Sequence, residues 1–223
     1  MKTKIIARDK EHLVNLIRKE IKMNGDSCDL NHIDVSNVKD MAHLFCTSRF
    51  NGNIDQWDVS NVRDMGHMFR QSIFNGDISQ WDVSKVIDMW GMFSYSEFNQ
   101  DISQWNVSSV KDMGLMFHES QFNQDISKWN VSNVINMSGI FGLSKLEHDL
   151  SDWKPSSLTS THNLFEKSKL EGKQNLPYWS TVEIEFLQQA IDAYQLQKQL
   201  KSILDTNLEE KPMKHSKHGI IKI

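Results

Sequence analysis

Histidine and cysteine are the side chains best suited to metal or nucleophilic chemistry, and this 223-residue chain holds nine of the first and two of the second. The histidines are His12, His32, His43, His67, His118, His148, His162, His215 and His218. His43 and His67 fall at one phase of the sequence, but no Cys or His partner shares that phase, so they spell no metal site. His215-x-x-His218 is solitary near the C-terminus. Cys28 and Cys46 have no neighbour that would lower a thiol pKa, and two cysteines are too few for a disulfide scaffold. There is no Gly-rich phosphate loop, no G-x-S-x-G and no H-E-x-x-H. The expectation is a chain that is not an enzyme and has no cofactor or metal.

Other residues recur in columns. Trp57, Trp81, Trp105, Trp129 and Trp153 share one phase, each with Val or Pro two residues on. Such a file could stack bases or sugars, but the alternation with Val reads as core. Asp29, Asn53, Asp77, Asp101, Asp125 and Asp149 form a second column. A calcium ladder would need the G-G-x-G-x-D pattern, which is absent, so these read as turn caps. Two further columns lie between the core Trp and Val positions and read as outward-facing. One is Asp34, Asp58, Asp82, Asn106, Asn130 and Lys154, and its neighbour is His32, Gln56, Gln80, Gln104, Lys128 and Asp152. The candidate binding residues are Asp34, Asp58, Asp82, Gln56, Gln80, Gln104 and Asn106. Trp90 and Tyr95 join them, because Trp90 stands where other copies carry Ala42, Gly66, Gly114, Ser138 and His162, and a lone Trp at a non-core phase suits an interface anchor.

These columns exist because the chain repeats itself every 24 residues. The clearest copies open FNGNIDQWDVSNV at Phe50, FNGDISQWDVSKV at Phe74, FNQDISQWNVSSV at Phe98 and FNQDISKWNVSNV at Phe122. Weaker copies begin near Asp26 and at Leu146. A period of this length means a solenoid, propeller or array. Within one copy, Trp57-x-Val59 has the period of a short strand. Val62, Met65 and Phe69 have the spacing of one helix face, and Ser60 is placed to N-cap it. One such unit cannot bury its apolar face, whereas stacked units can.

The expected fold is therefore an α/β, leucine-rich-repeat-like solenoid of about six 24-residue strand–helix coils. Residues 1–25 read as a strand–helix cap, with Asp9 as helix N-cap and Gly25 after its end. Residues 26–169 are the six-copy array. Residues 170–207 read as a C-terminal cap with a long helix opened by Ser180-Thr-Val-Glu183, and 208–223 as a flexible tail.

The motif Phe-Asn-x-Asp-Ile-Ser-x-Trp-Asp-Val-Ser-x-Val-x-x-Met-x-x-Met-Phe, nearly complete in Phe74–Phe93 and Phe98–Phe117, resembles the BspA-like leucine-rich repeats of bacterial surface proteins. The resemblance covers about 26–169. It implies a leucine-rich-repeat fold and an interaction role, with no general catalytic residues to carry over.

Charge narrows the partner. Residues 1–25 hold 7 basic and 3 acidic side chains, 26–169 hold 11 and 19, and 170–223 hold 7 of each, giving the net −4 of the chain. An acidic array repels phosphate backbones and attracts a basic protein. No apolar run is long enough to span a bilayer, and charged Arg8-Asp9-Lys10-Glu11 interrupts any signal-like stretch, so the expected location is cytoplasmic. The function expected from these features is protein binding without membrane or direct nucleic-acid contact. The sharpest form is an immunity protein that neutralises a basic, nuclease-type bacterial toxin. The alternatives are a bacterial surface or secreted adhesion protein, and a glycan- or nucleic-acid-binding module.

Overall fold

Each coil closes through turns in which a side chain caps the backbone. In the computed structural model, which describes residues 3–170, Asn53 Oδ1 accepts from Asp55 N at 3.2 Å, Asp58 Oδ1 from Ser60 N at 3.1 Å, and Asp64 Oδ1 from Gly66 N at 2.8 Å. Ser72 Oγ closes the coil by accepting from Phe74 N at 3.1 Å. The same bonds recur one period on, at Asp77, Asp82, Asp88 and Ser96. Short Asp, Asn and Ser side chains do this because they mimic a backbone carbonyl two residues before the amide they bind.

Between the turns, apolar side chains point inward and stack on their equivalents. Phe45, Phe69, Phe93, Phe117, Phe141 and Phe165 form a column with centroid spacings from 5.6 to 5.9 Å and interplanar angles of 7° or less. Phe50, Phe74, Phe98 and Phe122 form a second at 6.2 to 6.4 Å. The Trp column is buried too, and each indole N–H donates to a carbonyl 27 residues earlier, as Trp81 Nε1 does to Ile54 O at 3.2 Å and Trp105 Nε1 to Ile78 O at 3.1 Å. The Trp residues are thus core, with their one polar atom satisfied.

The second half of each coil differs from the expected helix. Residues 66–71 form consecutive turns, preceded by an isolated parallel bridge at Asp64 to Asp40 and Asp88, and no strand forms at Trp57–Val59. Two residues per coil, such as His67 (φ 56°) and Gln71 (φ 53°), take left-handed backbone, which no α-helix tolerates. The amides of Met65, His67, Phe69 and Gln71 donate to Asp88, Trp90, Met92 and Ser94 carbonyls of the next coil at 2.8 to 2.9 Å, instead of four residues back. Those of Met68, Arg70 and Ser72 close i→i+3 turns on Met65, His67 and Phe69. Every donor of the segment thereby finds a partner. Ser60, expected as a helix N-cap, is the amide donor of an Asx turn.

Among the described residues, regular elements are confined to the N-terminal part. Strand β1 (Ile5–Ile6) pairs in parallel with β2 (Ile33–Asp34), in register Ile5 with Ile33. Helix α1 (Lys10–Asn24) lies between them in sequence, N-capped by Asp9, whose carboxylate accepts from His12 N, and closed by Gly25 at φ 81°. Its Leu13 and Ile17 are buried against the first coil's core. The expected capping helix after Ser180 and the 208–223 tail lie outside the described residues.

Candidate functional site

The outward positions of residues 66–71 and their equivalents carry the side chains that change most from coil to coil. Here the repeat supplies Ala42, Gly66, Trp90, Gly114, Ser138 and His162 at one position and Thr47, Gln71, Tyr95, Glu119, Leu143 and Lys167 at another. Trp90 is 36 % exposed and Tyr95 41 %. Tyr95 is held outward by left-handed backbone at φ 58°. Trp90 is reached through the Asp88 turn, whose Oδ1 accepts from Trp90 N at 2.8 Å.

The large side chains of this face lean across small residues of the next coil. A Cβ added to Gly114 would lie 2.8 Å from Trp90 Cδ1, one on Gly91 2.5 Å from His67 Nδ1, and one on Gly142 2.7 Å from His118 Nδ1. Trp90 therefore does fold onto its neighbour, and one side of its ring stays open to solvent. The rings form a chain across the coils. His43 packs on His67 at 4.8 Å, and His67 on Trp90 at 4.9 Å. Alongside, the Arg70 guanidinium lies 5.8 Å from the Tyr95 ring centre, and Tyr95 meets His118 edge-on at 5.5 Å. Burial, and the charges of His43 and Arg70, hold His67 below the usual imidazole pKa, so it is neutral at pH 7. Trp, Tyr and Arg with a neutral imidazole between them is the composition of an interface core.

The other expected residues occupy a different part of the coil. Asp34, Gln56 and Asp58 come together with Lys4, Asn31, His32, Ile33 and Val35 around a cavity of about 340 Å³ at the N-terminal end. Asp34 is half-buried and ion-paired with Lys4 at 3.1 Å, and its carboxyl is held below the ordinary range by the Ser36 hydroxyl and amide. Asp82 is lowered the same way by Ser84. Gln80 and Gln104 are exposed one and two coils on, each amide donating to the preceding serine hydroxyl at 3.2 Å. Asn106 Oδ1 accepts from Ser108 N and Oγ. The acidic column is outward-facing, but its first task is to cap turns. Trp90 and Tyr95 are not brought to it. Sequence reasoning missed His67, Arg70 and His118. The glycines at 91 and 142, opposite His67 and His118 in the next coil, were the signal that these two side chains cross between coils.

No helix among the described residues is long and apolar enough to cross a membrane, and no group of three His, Cys, Asp or Glu among them could hold a metal ion. A family model described as "Mycoplasma protein of unknown function, DUF285" matches residues 13–121 and again 95–203. No curated protein and no solved structure matches the chain.

Proposed function

The chain belongs to this DUF285 family of Mycoplasma proteins of unknown function, and we propose that within it the chain is a capped repeat solenoid, leucine-rich-repeat-like in role, that binds a protein partner through the Trp90–Tyr95 face. The observation that carries this reading is the exposure of Trp90 and Tyr95, beside Arg70, on a scaffold otherwise repeated coil by coil. Rigid aromatic anchors on a preformed surface lose little conformational entropy on association. The test is affinity capture with wild type and with Trp90→Ala/Tyr95→Ala. A protein partner retained by the first and lost from the second, with unchanged circular dichroism, supports the reading. Equal retention overturns it.

A second, narrower reading concerns the partner: a basic, nuclease-type toxin that the chain neutralises in the cytoplasm. What favours it is the carboxylate column of Asp34 (paired with Lys4), Asp58 and Asp82, the first two beside neutral Gln56 at their cavity. Such a column steers a basic surface into place. Asp58→Lys with Asp82→Lys abolishes neutralisation on this reading, and raised salt weakens it. Toxin activity that persists under excess chain removes it for that toxin.

A further inference from the structure

A second surface of the coil has the opposite charge. Between the Asp58-type turn and the Asp64-type turn, each coil presents a short segment read V-S-x-V-x, and its outward positions hold Lys39, Arg63, Lys85 and Lys111 with no carboxylate among them. Three of these cations line one groove of about 410 Å³: Arg63, Lys85 and Lys111, together with Ile87, Ser108, Ser109 and Asn133. In a chain of net charge −4, a concavity lined by three cations and otherwise neutral residues runs against the composition.

The cations come from three successive coils. Ile87 N donates to Arg63 O and Lys111 N to Ile87 O, both at 2.8 Å, so Arg63 and Lys111 sit above and below Ile87 in one column. Hydrogen-bonded neighbours stack about 4.8 Å apart, which puts their backbones about 10 Å from one another. Both side chains are long enough to converge over Ile87, which offers no polar atom of its own. Lys85 enters from the adjoining column, with its Nζ 3.0 Å from Asn61 Oδ1. No ion pair to a described residue neutralises Arg63, Lys85 or Lys111, although Lys85 contributes to the field that lowers Asp82.

The borders of the groove fix the size of what fits. On one side run Asp58 and Asp82, on the other Asp64 and Asp88, each with one oxygen accepting a turn amide. These rows run along the stack, so like charge excludes a polyanion laid across the coils, and along the stack the cations end at Lys111, with Ile135 and Thr159 next in the column. A compact anion between them is met by cations, the Ser109 hydroxyl and the Asn133 amide. We propose that this groove binds a compact multivalent oxyanion of the phosphate class, either a free phosphate compound or a phosphorylated side chain. The proposal is independent of the aromatic face, since it uses other residues.

Inorganic diphosphate is titrated into the full chain at constant ionic strength and followed by backbone amide chemical shifts. The expected result is saturable change centred on Arg63, Lys85, Ile87, Ser109 and Lys111. Lys85→Ala and Lys111→Ala each weaken binding about tenfold, the loss of one charge-assisted hydrogen bond. Lys128→Ala, which removes an exposed cation paired with Asp152 elsewhere, leaves binding unchanged. A phosphoserine peptide that binds more tightly than diphosphate assigns the source to a modified protein, and one that binds more weakly assigns it to a free anion. Diffuse, non-saturating shifts, equal affinity in the Lys111→Ala chain, or tighter binding of a long single-stranded nucleic acid would each overturn the proposal.

Discussion

The inner columns and the 66–71 face are built from the same coils under opposite rules. Inside, each position repeats its residue type. The Phe column runs from Phe45 to Phe165, and each Trp donates to the same carbonyl of the preceding coil. Outside, the same backbone carries Thr, Gln, Tyr, Glu, Leu and Lys in turn. The contrast teaches where specificity can reside. A side chain whose neighbours are copies of itself cannot change without disturbing a stack, whereas one that faces water can.

Breaking the inner rule should have the largest effect. Phe93→Ala removes a ring stacked on Phe69 and Phe117 and should cost about 3–5 kcal/mol of unfolding free energy, measured by denaturant titration. Trp105→Phe keeps most of the apolar area but leaves Ile78 O without its indole donor. Ile78 O keeps the bond from Trp81 N at 3.2 Å, so the change should cost about 0.5–1.5 kcal/mol, the net worth of one hydrogen bond. Asp82→Ala removes one turn cap and should cost about 1 kcal/mol.

The turn caps also predict a pH dependence. Asp34, Asp77, Asp82 and Asp125 have folded pKa values below the ordinary 3.8, chiefly through hydrogen bonds from Ser36, Ser79, Ser84 and Ser127. Their stabilisation is complete above pH 3.8 and is lost as pH falls through the folded values. His67, lowered from 6.5 by burial, adds a separate loss that begins as pH drops below 6.5. Stability measured against pH should therefore decline in two windows, and His67→Gln should flatten only the upper one.

The outer face is read more sharply in binding than in stability. Trp90→Ala removes a ring that is 36 % exposed and should cost about 1–3 kcal/mol of unfolding free energy. It should nonetheless weaken partner binding by about tenfold or more. Gly114→Ala sharpens the point without touching Trp90 chemically. The added methyl would meet Trp90 Cδ1 and Asn136 Nδ2, each at 2.8 Å, pushing the indole off its seat. A change in Trp fluorescence and in affinity, at nearly constant stability, is the expected outcome.

Much of the interior was legible in the sequence. The columns of Ile54, Trp57, Val59, Val62, Met65 and Phe69 point inward and are buried, because alternation and three-or-four spacing both select one side of the chain. The same spacing misled where it suggested a helix. Val62, Met65 and Phe69 fall on one side of a helix, and equally on one side of consecutive turns. What separates the two is backbone handedness. The column that takes positive φ reads His43, His67, Gly91, Leu115, Gly139 and Asn163. Gly, Asn and His are the types that enter that region most readily, so the signal was present in the column rather than in any single copy. At the candidate face, Trp90 was visible as the odd residue of its column. Its seat on Gly114 was not, because that contact joins residues a full period apart.

The amides at 65, 67, 69 and 71 that bond forward to the next coil have a genetic consequence. Each coil meets its neighbours through the same groups, so a gene that gained or lost one whole repeat by recombination would encode a chain whose joints still match. The interior would not register the event. The outer face would, because Arg70, Trp90, Tyr95 and His118 would slide past one another by a full step. Copy number could thus reset what the surface recognises in a single mutational event, with no point substitution anywhere in the gene.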